Sequence, residues 1–276
     1  MLQSIVLGFF QGLTEFLPVS SSGHLVAIPE IFGWSETSTT MALFLHMGTL
    51  LAVLVAFRAD LVAIGGVWFK RELDPHGYRH LSKMLLLASV PAAVAGLALN
   101  SVFEEVFGAP IWVCVFWLVT AAVLVWGERV ASTEKRPSLG IDEDASGDVN
   151  WRYVTARAAL FIGCAQAVAI FPGLSRSGMT IIAGLLIGFS RPAAARFSFL
   201  MSIPIIAGGV LVVGKDVMDG SFHLGANEIA GFVTAALTGY LAIRFLMDYV
   251  RRHSIAVFAW YLVAASAVLA ISIAAH

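Results

Sequence analysis

The chain has 276 residues, of which 59% are hydrophobic and only 13% are charged, and its mean hydropathy is +0.85. Soluble domains carry about 25% charged residues, so this composition excludes an ordinary soluble protein and indicates an integral membrane protein. The net charge of −1 and the absence of a basic tail argue against nucleic acid as a partner.

The first half of the chain, residues 1–131, is predicted to hold one re-entrant segment and three membrane-spanning helices. Residues 1–24 are apolar but interrupted by polar side chains, so we expect them to enter the membrane and return. Residues 61–69 are too short to span a bilayer and contain two glycines, which predicts an interfacial or broken helix. The predicted spans of this half are residues 41–57, 83–98 and 110–126.

The second half, residues 151–276, follows a polar segment at 132–150, which we interpret as a cytoplasmic linker. A second re-entrant segment is predicted at 158–189. The predicted spans of this half are residues 197–213, 227–247 and 255–275. The two cysteines, Cys114 and Cys164, lie in apolar segments and are expected to be small buried side chains.

The positive charges predict the orientation of these elements. Lys and Arg cluster in four regions, whereas residues 1–57 and 253–276 contain none. Since cytoplasmic loops are rich in Lys and Arg, we expect both termini on the outer face, and we interpret Arg191 and Arg196 as signals of topology. Each half then has three spans, an odd number, so the second half is predicted to be inverted relative to the first.

The two re-entrant segments share one sequence pattern, which we call the template. With an offset of 155 residues, six positions of the first segment match the second without gaps. An internally duplicated membrane protein commonly has its site where the two copies meet. The matching pairs are Gly8 and Gly163, Gln11 and Gln166, Phe16 and Phe171, Ser20 and Ser175, Ser22 and Ser177, and Gly23 and Gly178.

The second copy of the template is typical of a phosphate-binding loop. Gly173 and Gly178 permit unusual backbone angles and a close approach of the ligand. N–H groups ahead of a helix that begins near Met179 can point at phosphate oxygens, and Arg176 offers a planar fork for two of them. Ser175, Ser177 and Thr180 add hydroxyl donors. The alternative is a glycine-rich helix break with serine caps.

The first copy carries the groups that hydrolysis of a phosphoanhydride requires. Glu15 can hold a divalent cation between phosphate oxygens, and a serine of the run Ser20–Ser22 can attack phosphorus if His24 takes its proton. A charge at the centre of a membrane helix costs about 2.5 to 3.5 kcal/mol, so Glu15 and Arg176 indicate a functional site. The alternative is an ion pair that only joins the two copies.

At these residues the chain closely resembles the undecaprenyl-diphosphate phosphatase family, the bacitracin-resistance proteins of bacterial membranes. The family's (E/Q)xxxE motif is matched by the stretch from Gln11 to Glu15, and its PGxSRSxxT motif by the stretch from Pro172 to Thr180. Some members have Glu where this chain has Gln11, which leaves Glu15 as the only acid of the motif. The similarity covers essentially the whole chain.

The resemblance implies hydrolysis of undecaprenyl diphosphate to the monophosphate and inorganic phosphate in the bacterial cytoplasmic (inner) membrane. It implies an all-α fold of two inverted repeats and a divalent cation, Mg²⁺ or Ca²⁺, held by Glu15. We expect membrane lipid as a further partner, and a homodimer is the alternative to a monomer. Carried over by position, the functional set of the family is Glu15, Ser21, His24, Ser175, Arg176 and Thr180.

We therefore expect Ser21 to be the nucleophile, activated by His24, with attack by a His24-activated water as the alternative. Glu15 and Arg176 complete the catalytic set, and His46 is expected to pack or hydrogen-bond near the site. A lipid-phosphate flippase or an anion carrier is the rival function, since carriers also use inverted repeats with broken helices. The predicted substrate-binding residues are Gln11, Ser20, Ser22, Gly173, Ser175, Ser177 and Thr180.

Overall fold

The computed structural model describes residues 1–70, 73–107, 109–133, 141–144, 147–219 and 225–275. Across these residues the protein is α-helical, and its one β interaction is an isolated bridge between Glu143 and Val149. The helices are α1 (Leu2–Phe16), α2 (Ser21–Phe32), α3 (Thr39–Ala56), α4 (Arg58–Gly65), α5 (Tyr78–Phe107), α6 (Pro110–Thr133), α7 (Ala156–Val168), α8 (Arg176–Leu186), α9 (Arg191–Asp219), α10 (Ala226–Val250) and α11 (Phe258–Ala275).

Six helical stretches in the described part of the chain are long and apolar enough to cross a membrane, which confirms the predicted number of spans. They are Thr39–Ala56, Tyr78–Ala98, Pro110–Ser132, Arg191–Val212, Ala226–Val250 and Ile255–Ala275. A 3₁₀ turn, Ile255–Val257, precedes α11 and belongs to the last span.

Two of these helices begin five or six residues earlier than predicted, because their first turns are polar and capped. The Asp74 carboxylate accepts hydrogen bonds from the backbone N–H groups of Tyr78 (2.6 Å) and Arg79 (3.0 Å), which starts α5 ahead of residue 83. Ser190 caps the first turn of α9 through the N–H of Ala193 (3.4 Å). Apolarity alone therefore marks the membrane-embedded part of a helix and misses its polar first turns.

The short piece predicted at residues 61–69 as an interfacial or broken helix is an α-helix that changes to a π turn. Helix α4 ends at Gly65, and the π turn Gly66–Lys70 follows it directly. The helix thus continues through both glycines with a change of winding, in keeping with the prediction of an irregular helix.

The segment predicted as a polar linker, residues 132–150, begins inside the end of α6 and packs against the protein where it is described. Ile141 and Val149 are almost completely buried. Residues 134–140 and 145–146 of this segment lie outside the described residues. A 3₁₀ turn, Trp151–Tyr153, then leads into α7, and its Trp151 is also buried.

Each segment predicted to be re-entrant consists of two short helices joined by a break. Helices α1 and α2 have 15 and 12 residues, and α7 and α8 have 13 and 11. A helix needs about 20 residues to cross the hydrocarbon core, so each of the four is shorter than a span. The first pair extends to Phe32, beyond the predicted end at residue 24.

Helix α1 packs most extensively against α10, through glycines that let the two backbones approach. A Cβ atom on Gly8 would lie 2.5 Å from the carbonyl oxygen of Gly231, and one on Gly12 would lie 2.5 Å from that of Ala235. Small residues four apart are the usual basis of close helix contact in membranes. In the second half, Gly163 brings α7 equally close to Ala88 of α5.

Two further acids are buried, a feature that the sequence analysis missed. Asp60 of α4 is ion-paired with Arg196 (2.7 Å), and Glu128 of α6 is ion-paired with Arg191 (2.7 Å). Glu128 also accepts a hydrogen bond from the N–H of Ile255. Arg191 and Arg196, which we interpreted as topology signals, therefore join α9 to α6 and α4.

The expectation that both cysteines are buried holds for Cys114 and is wrong for Cys164. Gly163 faces Ala88 of α5 at close range. Successive helical residues point about 100° apart, so the next side chain, Cys164, turns away from that contact.

The close approach of α1 and α10 predicts opposite effects for two Gly→Ala changes. Gly12→Ala must displace Thr238 or the α10 backbone, so we expect a loss of about 1 to 3 kcal/mol in unfolding free energy. Gly208→Ala in α9 meets no atom within 4 Å and should be neutral or stabilising by up to about 1 kcal/mol. Thermal unfolding of both variants in detergent measures the difference, and equal midpoints would contradict the proposed contact.

Candidate active site

The two helix breaks carry the same serine cap. Ser20 precedes α2, and its Oγ accepts a hydrogen bond from the N–H of Gly23 (3.3 Å). Ser175 precedes α8, and its Oγ accepts from the N–H of Gly178 (3.1 Å). In both breaks the capping hydroxyl also lies 3.2 Å from the hydroxyl two residues later, so the matching sequences adopt matching local structures.

The glycines of the second break have two different roles. Gly173 has φ +100°, a conformation that L-residues rarely adopt, so it permits the turn between α7 and α8. Helix α8 begins at Arg176, and the expected start near Met179 is wrong because Ser175 caps the helix earlier. Gly178 is therefore helical, and a Cβ atom there would lie 3.3 Å from Cβ of Pro18, at the other break.

The breaks meet directly at a charged centre. Oε1 of Glu15 accepts a hydrogen bond from Nη2 of Arg176 at 2.5 Å. Oε2 of Glu15 accepts from Oγ of Ser21 at 2.5 Å and from Nε2 of Gln11 at 2.9 Å. The Ser177 hydroxyl adds a second link between the halves by donating to the Leu17 carbonyl (2.9 Å).

Arg176 keeps one donor nitrogen free. Its Nη1 is buried and has no hydrogen-bond partner among the described residues, whereas Nη2 is bonded to Glu15. Leaving a buried donor unsatisfied is unfavourable by about 1 to 3 kcal/mol, and more for a charged group. Such a group is suited to a ligand that supplies an acceptor, and anionic oxygens are the strongest acceptors for a guanidinium.

A cavity of about 180 Å³ lies beside this centre and brings six of the predicted residues together. Polar side chains of both breaks line it, with Ala169, Ile170 and Leu174 as its apolar wall. Its volume fits a phosphate group and not a long lipid chain. The predicted residues that line the cavity are Glu15, Ser20, Ser21, Ser22, Ser175 and Arg176.

The other predicted residues are not among the lining residues, and several of them hydrogen-bond to residues that are. Thr180 lies within hydrogen-bond distance of the Arg176 carbonyl (2.8 Å) and of Ser198 on α9 (2.6 Å). Gln11 orients Glu15. The hydroxyl of Thr120 on α6 donates a hydrogen bond to the carbonyl oxygen of Gly173 (3.3 Å).

His24 is buried, and both of its ring nitrogens have partners. Nδ1 lies 2.7 Å from the Ser20 carbonyl oxygen and therefore donates to it, while Nε2 lies 2.7 Å from the Tyr261 hydroxyl. The ring also packs against Trp117, with 4.9 Å between centroids. No hydrogen bond joins His24 to Ser21 in the described structure, so the geometry places Ser21 with Glu15 instead.

His46 and Thr14 also line the cavity. His46 is predicted to pack or hydrogen-bond near the site, in agreement with this position, whereas Thr14 is not among the predicted residues. The Nδ1 atom of His46 donates to the Ala42 carbonyl of its own helix (2.8 Å). His46 is the one ionisable residue in the sequence of α3, and this is the available signal. Sequence reasoning recognised the residue and could not show which way it faces.

The residues that line the cavity could hold a divalent cation only together with a bound phosphate ligand. No group of three or more His, Cys, Asp or Glu side chains forms a metal cluster in the described part of the chain. Glu15 Oε1 accepts one hydrogen bond and keeps a lone pair. This arrangement fits a cation held by one carboxylate oxygen and by phosphate oxygens.

A larger cleft of about 630 Å³ lies away from this centre, between the end of α6 and the start of α9. It is lined by acidic and basic side chains that include Glu143, Arg191 and Arg251, and Arg251 is ion-paired with Glu143. None of the residues of the two serine-capped breaks lines it. The chemistry of the repeated template therefore belongs to the smaller cavity.

Comparison with known proteins agrees with the sequence resemblance. The model of the family described as "Bacitracin resistance protein BacA" matches residues 4–268. The chain is 40% identical to an undecaprenyl-diphosphatase of Geobacter sulfurreducens, over 98% of this chain and 97% of that protein. It is also 40% identical to one of Thermomicrobium roseum, over 97% and 96%, and 36% identical to one of Methanosphaera stadtmanae, over 95% and 94%.

The Glu15–Arg176 contact predicts strongly non-additive effects on stability. Glu15→Gln or Arg176→Met alone leaves one charge without its partner and should lower the unfolding free energy by about 3 to 5 kcal/mol. The double variant removes both charges, and we expect its loss to be smaller than the sum by about 1 to 3 kcal/mol. Denaturation of the four proteins in detergent measures this coupling, and additive losses would show that the two charges do not interact.

Proposed function

The chain belongs to the bacitracin resistance protein BacA family, and we propose that its serine-lined cavity is the site at which undecaprenyl diphosphate is hydrolysed to undecaprenyl phosphate and inorganic phosphate. The protein is a multi-pass membrane phosphatase of a diphosphate lipid. This reaction recycles the carrier lipid of cell-wall synthesis and underlies bacitracin resistance. The observation that carries the proposal is the buried Nη1 of Arg176, which has no hydrogen-bond partner in the described part of the chain and belongs to the residue that contacts the Glu15–Ser21 pair.

The terminal phosphate of the substrate would occupy the cavity. Arg176 would donate from Nη1 to a phosphate oxygen while Nη2 stays bonded to Glu15. The hydroxyls of Ser20, Ser22 and Ser175 line the same space and can donate to the remaining oxygens. The small cavity suits the head group, and the lipid chain would leave sideways between the apolar helices.

Ser21 is the nucleophile that the geometry supports best. Its hydroxyl donates to Glu15 at 2.5 Å, so the proton has an acceptor when Oγ attacks the terminal phosphorus. The bond from that phosphorus to the bridging oxygen breaks, and undecaprenyl phosphate leaves. Water then cleaves the phosphoester on Ser21 and releases inorganic phosphate.

The structure supports a positioning role for His24. The expectation from sequence was that its imidazole takes the Ser21 proton, but both ring nitrogens are bonded to Ser20 and Tyr261. Through the Ser20 carbonyl, His24 holds the backbone that begins α2, where Ser20 has the unusual φ of 66°. We propose that His24 fixes the position of Ser21 and that Glu15 accepts the proton.

A divalent cation, Mg²⁺ or Ca²⁺, is part of the proposal. The ion pair of Glu15 and Arg176 is electrically neutral, so a bound diphosphate would bring uncompensated negative charge next to a carboxylate. A cation held by the free lone pair of Glu15 Oε1 and by the phosphates would neutralise that charge when bound. Gln11 offers no second carboxylate, and the substrate would supply most of the ligands.

We also propose that the two halves, 1–131 and 151–276, are inverted repeats with re-entrant segments. Three features support this: the matching serine caps, the short helices of each pair, and reciprocal packing. Helix α1 of the first half packs on α10 of the second, and α7 of the second packs on α5 of the first. With the positive residues inside, both termini would lie on the outer face of the inner membrane.

Phosphate release by detergent-purified protein tests this function. With a C55 polyprenyl diphosphate and Mg²⁺, we expect turnover that EDTA abolishes. Arg176→Ala and Glu15→Ala should each reduce the rate at least about a hundredfold, because Arg176 stabilises negative charge at the phosphate and Glu15 accepts the Ser21 proton and would hold the cation. Arg244→Ala is the matched control, since it removes an exposed arginine elsewhere and should leave the rate unchanged.

Two outcomes would contradict the proposal. Folded protein that binds the lipid without releasing phosphate would support a carrier instead of a hydrolase. Full activity of the Arg176→Ala variant would show that the cavity is not the site.

The identity of the nucleophile is tested by a set of three variants. Ser21→Ala should lower the rate roughly a thousandfold, whereas Ser22→Ala removes a hydroxyl from the same cavity and should lower it less than tenfold. His24→Asn keeps a donor near the Nδ1 position and should retain most of the activity if His24 only positions the backbone. A loss as large as that of Ser21→Ala would instead make His24 the base, and substantial activity of Ser21→Ala would favour direct attack by water.

A further inference from the structure

The surface formed by the π turn and the start of α5 carries two positive charges that have no carboxylate partner in the described part of the chain. Arg79 and Lys83 are exposed and lie four residues apart on α5, where like charges repel each other. No carboxylate among the described residues lies within ion-pair distance of either one. Arg196, which lies 3.5 Å from the hydroxyl of Tyr78 at the start of α5, has a buried acid partner, Asp60.

Trp68 holds the two charges together. The Arg79 guanidinium carbon lies 5.6 Å and the Lys83 ammonium nitrogen 5.8 Å from the centroid of the Trp68 ring. The indole Nε1 donates to Ser82 Oγ at 3.0 Å, and Arg79 Nη2 donates to the Val67 carbonyl. Both cations are therefore fixed on one aromatic ring, an arrangement that a shared counter-anion would complete.

The depth of this surface matches the lipid head groups. The apolar span of α5 begins at Tyr78, so Arg79 and Lys83 occupy its first six residues. At 1.5 Å per residue, Lys83 lies about 7.5 Å along the helix from its start. Tryptophan also concentrates at the boundary between membrane and water.

Exposed apolar side chains lie next to this surface along the chain: Phe69 follows Trp68, and Leu73 precedes Asp74, whose carboxylate caps the first turn of α5. Phe69 and Leu73 are 90% and 93% exposed, and Trp68 is 46% exposed. A head group at Arg79 and Lys83 would thus have its acyl chains next to apolar side chains, which a soluble anion could not use.

We propose that Arg79, Lys83 and Trp68 form a binding site for an anionic phospholipid of the phosphatidylglycerol class, separate from the cavity of the substrate. The phosphate of the head group bridges the two cations, and the acyl chains lie along Phe69 and Leu73. The site anchors the π turn and the first turns of α5 at the membrane surface, and its occupancy does not depend on hydrolysis.

Native mass spectrometry of the full-length protein tests this proposal by counting retained lipids. The protein is titrated with phosphatidylglycerol and, separately, with phosphatidylcholine of the same chain composition. We expect tighter retention of phosphatidylglycerol and a roughly thirtyfold weaker first binding step in the Arg79→Gln/Lys83→Gln variant, because each charge near an anionic head group contributes about fivefold. Trp68→Leu should weaken this step by about two- to fivefold.

The matched control, Arg244→Gln/Arg252→Gln, removes two exposed arginines and should leave the first binding step within about twofold of the unmodified protein. Thermal unfolding in detergent verifies that every variant is folded. Equal retention of the two lipids, or equal weakening by the control pair, would overturn the proposal. So would competition by inorganic phosphate at a concentration equal to that of the lipid, since a phosphate site needs no acyl chains.

Discussion

The polar interior of this protein depends on the ion pair between Glu15 and Arg176. A single charge among apolar helices is unfavourable by several kcal/mol, and each of these residues compensates the other at 2.5 Å. The two residues are 161 positions apart in sequence, so the pair forms only when both helix breaks meet. Formation of the site and association of the two halves are therefore one event.

The ion pair is asymmetric in a way that favours an anionic ligand. Glu15 accepts hydrogen bonds from three side chains, whereas Nη1 of Arg176 is buried and has no partner among the residues that the structure describes. Ser20 is held at a positive φ, which costs a residue other than glycine of the order of 1 to 3 kcal/mol. This strain occurs directly before Ser21, and the hydrogen bonds of Ser20 with Gly23 and His24 offset part of it.

The helices around the centre hold it by two different means. Near the middle, glycines such as Gly12 let backbones come close enough for van der Waals contact to hold the first pair of short helices. Near the ends of the spans, the buried acids Asp60 and Glu128 bind arginines of α9. Since α9 also contacts α8 and carries Ser198, these pairs fix the helix that supports Arg176 through Thr180.

The sequence by itself determined the number of apolar stretches long enough to span a membrane and the presence of an interrupted helical segment in each half, because apolar runs, helix breakers and a repeated template are local signals. It also places Gln11 and Glu15 on one helix face, since residues four apart are neighbours.

The partners of the site residues were decided only by tertiary structure. His24 binds Tyr261, 237 residues away, and Ser21 reaches Glu15 across a turn. His46 faces the cavity, and Arg196 pairs with Asp60. The periodicity of a sequence indicates which residues share a helix face. Whether that face points to the cavity, to another helix or to lipid depends on how the helices pack.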